Sequence, residues 1–349
     1  MTLPKLEGKI EHTPRRITGC FSLDYALGDP RKGQYGFPLR AVYEIYGRPE
    51  RGKNTLAFFM AGAVRAEGRI IYTWLESADP DYVLSAVAQS GFMGTVKMID
   101  HYKEGADPEK DPPKSHEEMC KEAALLLNLP DSNAYILDSI GTTRSRQEQI
   151  GDYGDANWGR RAYFINQHMR ELEGIVMDKP GQPCIAIALN HVQQDMQTIG
   201  GRITYHTPGG TNKEFTAVAR IHLKTVDPKS VLALDSITVS RGVVDKLRFG
   251  GKGREFLIAI VPGLGLSRGL TALLDCYTLG LVKKETGGLI VHSDGRGKKA
   301  SKLVIGKVSA LVQAAYDNDP APFGPLYDLL EPLYGQPGGQ VETHSTDEE

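Results

Sequence analysis

The chain has 349 residues, 40% of them hydrophobic, and a formal net charge of −2 from 41 basic and 43 acidic side chains. That length suits one large domain with an appendage, and the near-zero charge excludes a whole-molecule basic signature, so any nucleic-acid contact has to be local. Four scattered cysteines without a C-x-x-C pair argue against a disulfide framework or a zinc site, and neither a run of about eighteen apolar residues nor a signal-peptide core is seen, so the expectation is a soluble cytoplasmic protein with no membrane partner.

Residues 1–16 are polar, with two prolines and the pair Arg15-Arg16, and read as an extended N-terminal arm. Phe21 to Leu27 has a short helical pattern. Ala41 to Tyr46 is an apolar run with β-branched and aromatic members, hence a buried strand. Gly47 follows, then Gly52-Lys53, and from Leu56 to Ala66 the residues are helix formers. Strand, glycine-bounded loop, Lys and helix is the context of a phosphate-binding loop. Its glycines let backbone N–H groups turn inward, the helix start adds its positive end, and Lys53 adds a point charge. The stretch is Gly47-Arg48-Pro49-Glu50-Arg51-Gly52-Lys53-Asn54-Thr55; Asn54 stands where such loops carry the Ser or Thr whose hydroxyl ligates magnesium, and it has only an amide oxygen to offer.

Further strands are expected at 69–75 and 96–99, with a helix from Asp79-Pro80 to about Ser90 between them. Residues 103–115 read as a solvated surface loop and 117–129 as an amphipathic helix. Ala134 to Asp138 is a strand ending in an acid, 141–158 a polar loop, and 159–177 a long helix. Cys184 to Leu189 is a strand ending in Asn190-His191, and 192–213 is polar and glycine-rich. Strand and helix alternating across this span call for a mostly parallel sheet with helices on both faces. Later come strands at 219–225, 236–240 and 255–261, a helix at 270–281, a small β element at 283–306 turning at Gly287-Gly288, and proline-broken helices to 334. From Gly335 the tail is disordered by composition.

In parallel-sheet nucleotide folds the ligand sits outside the carboxyl ends of the strands. The Gly47–Lys53 loop, Glu76, Asp138 and Asn190-His191 all fall there. Glu76 is placed to orient an attacking water and Asp138 to hold a magnesium-bound water. Asp79 and Tyr82 could face a base, Tyr82 by stacking, although an N-cap aspartate is the plainer role for Asp79. The loops near Gly151–Arg161 and 192–213 interleave basic and aromatic groups, among them Trp158, Arg160, Arg161, Arg202, Tyr205, His206 and Lys213. That mixture suits single-stranded nucleic acid, with charge on phosphate and rings on bases.

These residues resemble the RecA-type recombinases, over roughly residues 17–265. The similarity runs through Ile17-Thr-Gly and Phe21 to Gly28, the phosphate loop with its Pro-Glu, Leu75-Glu76 with Asp79-Pro-Asp-Tyr82, Ile136-Leu-Asp138-Ser139, Leu189-Asn-His191, Thr207-Pro-Gly209-Gly210 with Lys213-Glu-Phe215, and Val243 to Arg248. The resemblance implies an α/β RecA-like P-loop NTPase core over 17–268 with two DNA-binding loops, a small α+β C-terminal domain over 269–334, and a regulatory acidic tail over 335–349. It also implies ATP and Mg2+ as cofactors, with Glu76, Lys53 and His191 catalytic and His191 standing where the family has a phosphate-sensing Gln. Asn54 and Asp138 would sit at the metal. Asp79, Tyr82, Lys246 and Arg248 would bind ATP, the last two across a subunit interface. Trp158, Arg160, Arg161, Arg202, Tyr205, His206, Gly209, Gly210 and Lys213 would contact DNA. The activity implied is DNA-dependent ATP hydrolysis, a helical homo-oligomeric filament on single-stranded DNA, and strand exchange with double-stranded DNA. Residues 1–16 are shorter than the family's N-terminal hook helix, which leaves docking as an extended strand. The alternatives are an accessory DNA-binding protein with little turnover, favoured by Asn54, and a helicase-like RecA-fold motor.

Overall fold

The computed structural model describes residues 13–76, 79–107, 109–144, 146, 158–179, 182–194, 205–210, 212–226, 232, 234, 236–293 and 302–334. The expected disordered tail and most of the N-terminal arm lie outside them. Of the arm, Arg15–Arg16 (β1) pairs antiparallel with Phe37–Pro38 (β2), and Phe21–Leu27 (α1) lies between them in sequence.

The nucleotide-fold pattern is realised strand by strand. Ala41–Gly47 (β3) leads to Lys53–Ala63 (α2), Arg69–Trp74 (β4), Pro80–Ala88 (α3), Thr95–Met98 (β5), His116–Leu127 (α4), Ser132–Asp138 (β6), Trp158–Met177 (α5) and Ile185–His191 (β7). Short strands Gln193–Gln194 (β8) and Tyr205–His206 (β9) pair with each other, and Asn212–Thr216 (α6) precedes Ala219–Thr225 (β10). Thr238–Leu247 (β11), Glu255–Val261 (β12) and Gly265–Leu266 (β13) complete a nine-stranded sheet in the order β13-β12-β11-β10-β3-β7-β6-β4-β5. From β5 to β10 every neighbouring pair is parallel; β11, β12 and β13 add antiparallel. This is the mostly parallel, RecA-like α/β sheet expected. The strand β11 is longer than the expected 236–240 and carries Val243 to Lys246 within the sheet.

Both faces of the parallel strands are buried, which is why they read as continuous apolar runs. Tyr43 and Ile45 pack with Leu56, Phe58 and Phe59 of α2 on one face, while Val42, Tyr135 and Leu137 pack with Met119 of α4 and Met169 of α5 on the other. Local signals set the helix starts. Ser115 and Glu118 form a reciprocal capping box for α4, and Asp79 caps α3 with Pro80 behind it. The helix α2 begins at Lys53, earlier than the apolar pattern suggested, because Gly52 caps it in the left-handed region at φ +76°. A Cβ at Gly52 would lie 2.1 Å from the Ile260 Cδ1 atom, a side-chain tip that can turn aside, so it is the positive φ that calls for glycine.

Arg268–Thr278 (α7), the sheet Val282–Lys284 (β14), Leu289–Ser293 (β15) and Lys302–Lys307 (β16), and helices Val308–Tyr316 (α8) and Gly324–Tyr334 (α9) follow. Leu270, Leu273 and Leu274 share a core with Phe21, Ala259 and Val261, joining this region to the antiparallel end of the main sheet. Two carboxyls are buried near that junction. Asp24 accepts from the Thr18 N–H and hydroxyl (both 2.8 Å) and the Gly19 N–H (3.0 Å), and Asp275 accepts from the Ser22 N–H (3.0 Å). Burial pushes each up to about 7, outweighing those hydrogen bonds. A carboxyl raised on folding stays protonated while the unfolded chain ionises, so its stabilisation is complete below the unfolded value and is lost as pH rises through the folded one. The melting temperature is therefore expected to fall between about pH 4 and pH 7, and Asp275→Asn to flatten that slope in thermal unfolding followed by circular dichroism.

Candidate functional site

The sheet reverses direction of growth at β3: the chain runs from β3 across to β4 on one side, and later from β7 to β10 on the other. A crevice forms at such a switch point, beyond the carboxyl ends of the strands. The Gly47–Lys53 loop stands there, and Glu50, Arg51, Lys53, Thr55, Asp79 and Tyr82 border a cleft of about 320 Å³. Lys53 is buried and its Nζ donates to the Arg48 carbonyl at 3.1 Å. Burial lowers its pKa, against the pull of Asp138 and Glu76. Those two acids are thus close enough to be felt by the loop lysine, as the strand-end pattern required.

Glu76 follows β4. Its Oε1 accepts from the Ser139 hydroxyl at 2.6 Å and from His191 Nε2 at 2.7 Å. The His191 hydrogen bond holds Glu76 below the usual carboxylate range, against its partial burial, so it is an anion at neutral pH. Three of the predicted groups, Lys53, Glu76 and His191, therefore meet in one place, together with Ser139.

Asp138, ending β6, is buried. Its Oδ2 accepts from Tyr72 OH at 2.8 Å and from the Asn54 amide nitrogen at 2.6 Å. Burial raises its pKa, partly offset by these two donors and Lys53. Of the two expected metal ligands, Asp138 is buried beside Asn54 and Tyr72, which border the cleft, and Asn54 does not fit: hard cations take oxygen lone pairs, and Asn54 turns an N–H toward the carboxyl. Asp79 is an N-cap whose Oδ1 accepts from Asp81 N–H at 3.1 Å. Tyr82 joins its hydroxyl to that of Thr55, which places the ring beside the start of α2.

The second group of predicted residues gathers elsewhere. Arg161, His206, Gly209 and Gly210 line a cleft of about 630 Å³ with Tyr46 and Arg220. Arg160 is exposed on α5. Arg202 lies outside the described residues, and only the backbones of Trp158 and Tyr205 are described. Lys213 corrects the expectation of a DNA-facing cation: it is 1% exposed, with Nζ donating to the carbonyls of Thr207 (3.3 Å) and Gly210 (2.8 Å) and 3.9 Å from Glu44. Its ammonium is spent on the backbone of the 207–210 loop. Lys246 and Arg248 do not border the phosphate cleft of their own chain. Lys246 donates to the carbonyls of Glu214, Phe215 and Ala217, and Arg248 to those of Phe215 and Thr216, so both satisfy the carboxyl end of α6.

Glu44 went unnoticed in the sequence, read as one member of an apolar strand. It is fully buried; Arg220 Nε donates to Oε2 at 2.6 Å and Asn190 Nδ2 to Oε1 at 2.8 Å. Asn190 also donates to the Pro208 carbonyl at 3.0 Å, and Arg220 to the Thr207 hydroxyl at 3.2 Å. The signal available was the charge itself, an acid inside a run otherwise fit for a central strand. Glu44 fastens the 207–210 loop to the strand that carries the phosphate loop, and Asn190 is bonded in sequence to His191, which touches Glu76.

No family model matches the chain. Over 315 residues it is 27% identical to Protein RecA of Chloroherpeton thalassium, covering 88% of this chain and 80% of that one. It is likewise 27% identical over 312 residues to Protein RecA of Deinococcus radiodurans, covering 86% and 77%. With Protein RecA of Tropheryma whipplei the identity is 27% over 292 residues, covering 82% and 61%. A crystal structure of the RadB recombinase aligns with a TM-score of 0.48 at 16% identity, over 72% of this chain and 97% of that one. Over most of its length, then, the chain is similar to the RecA proteins.

Proposed function

We propose that the protein is an ATP-dependent DNA recombinase that assembles as a filament on single-stranded DNA and promotes homologous pairing and strand exchange with double-stranded DNA. The observation supporting this reading is the run of contacts from Glu76 to the His191 ring, along the backbone from His191 to Asn190, and from the Asn190 side chain to Glu44 and the Pro208 carbonyl. A phosphate cleft at one end, and at the other a loop whose cleft is shared with Arg161, His206 and Arg220, is an arrangement that could couple nucleotide to DNA. Lys53 and the start of α2 bind the phosphates of ATP, and Glu76, held anionic, orients and deprotonates the attacking water. His191 releases or grips Glu76 according to what occupies the cleft. Lys246 and Arg248 reach the ATP of a neighbouring subunit in this scheme, and their hold on α6 ties that contact to the DNA loop.

A second reading, an accessory protein that binds ATP and DNA with little turnover, is favoured by one contact, the Asn54–Asp138 hydrogen bond. Fluorescence anisotropy of a labelled single-stranded oligonucleotide tests the shared part of both. Binding is expected to tighten at least about tenfold, or 1.4 kcal/mol, when ATP is added. Equal affinity with and without ATP would reject nucleotide coupling.

A further inference from the structure

Two side chains of the phosphate loop, Asn54 and Arg51, act in opposite senses on the charge of the cleft. Asn54 sits where an oxygen ligand would face the ion, and its N–H is spent on Asp138 Oδ2 at 2.6 Å, an oxygen that also accepts from Tyr72 at 2.8 Å. Turning the amide over would set its carbonyl against the carboxylate, so the donor orientation is the one the site selects. The carboxylate that would hold an ion is thereby tied down by two protein donors. Three residues earlier stands Arg51, whose Nε–H is buried with no hydrogen-bond partner among the described residues. Arg51 borders the same cleft as Lys53 and Thr55. A buried donor left unsatisfied is costly, more so on a charged group, and a guanidinium is shaped for two phosphate oxygens at once. Resting on the reading of this cleft as a nucleotide site, we propose that it binds a nucleoside triphosphate without needing a divalent cation. Arg51 brings the positive charge that the ion would bring, and Asn54 restrains the acid that would have held it.

The test is equilibrium titration of the full chain with a fluorescent ATP analogue, once in Mg2+ and once in EDTA. Wild-type Kd is expected to agree within about threefold between the two conditions. Arg51→Ala removes the fixed charge, and its Kd in EDTA should rise at least about tenfold while Mg2+ restores most of the loss. Asn54→Asp sets two carboxylates face to face, a pair that demands a cation, and should show the same dependence on Mg2+. A wild-type Kd that rises tenfold or more in EDTA would overturn the inference and leave the nucleotide site standing. Binding of the analogue in neither condition, by protein with native circular dichroism, would overturn the nucleotide site and this inference together.

Discussion

Glu76→Gln is expected to lower ATP turnover by about 10²–10⁴-fold, the usual contribution of a positioned general base. The reasoning is local. Gln keeps the size of Glu and a carbonyl to accept from Ser139 and His191, so the geometry around Oε1 survives. What it loses is the negative charge that the His191 hydrogen bond protects. Because Lys53, Thr55 and the start of α2 are untouched, equilibrium binding of an ATP analogue should stay within about threefold of wild type. Steady-state hydrolysis paired with that titration separates the two effects. Unchanged turnover would remove Glu76 from the chemistry and leave it as a strand-end anchor for His191.

Glu44→Ala should destabilise the protein by about 3–5 kcal/mol, the range for breaking a buried ion pair from one side. The carboxylate has no exposed surface and holds Arg220 and Asn190, with Lys213 nearby. Alanine would strand a partly buried guanidinium and a buried ammonium with no anion between them. Arg220 has a second partner in Glu214 at 3.0 Å, which softens its loss, while Lys213 keeps only the weaker pull of the same Glu214. Urea unfolding measures the change. A loss below about 1 kcal/mol would mean that the network relaxes around the gap. Since Asn190 also holds Pro208, this substitution should loosen the 207–210 loop and weaken the ATP-dependent gain in DNA binding in the same protein.

The strand ends and the phosphate loop were legible because backbone chemistry imposes them. A parallel strand buried on both faces reads as a mostly apolar run, and the loop after it needs Gly52 for its positive φ. The pairings across the sheet were not legible. Lys213, Lys246 and Arg248 look alike in sequence as free cations, yet each is occupied by backbone carbonyls or a carboxylate. Whether a basic side chain faces solvent or caps a helix depends on which strands are neighbours, and residues far apart in sequence decide that. Glu44 shows the same limit from the other side: its partners are 146 and 176 residues away in sequence. Asn54 was recognised as unusual, but its bond to Asp138 depends on β6 lying beside β4 and β7.

Hydrolysis of ATP by the purified protein, with and without single-stranded DNA, tests the central claim most directly. The coupled recombinase predicts turnover stimulated at least about tenfold by DNA and abolished in Glu76→Gln. Turnover that is absent in both conditions, or present and indifferent to DNA, would contradict it.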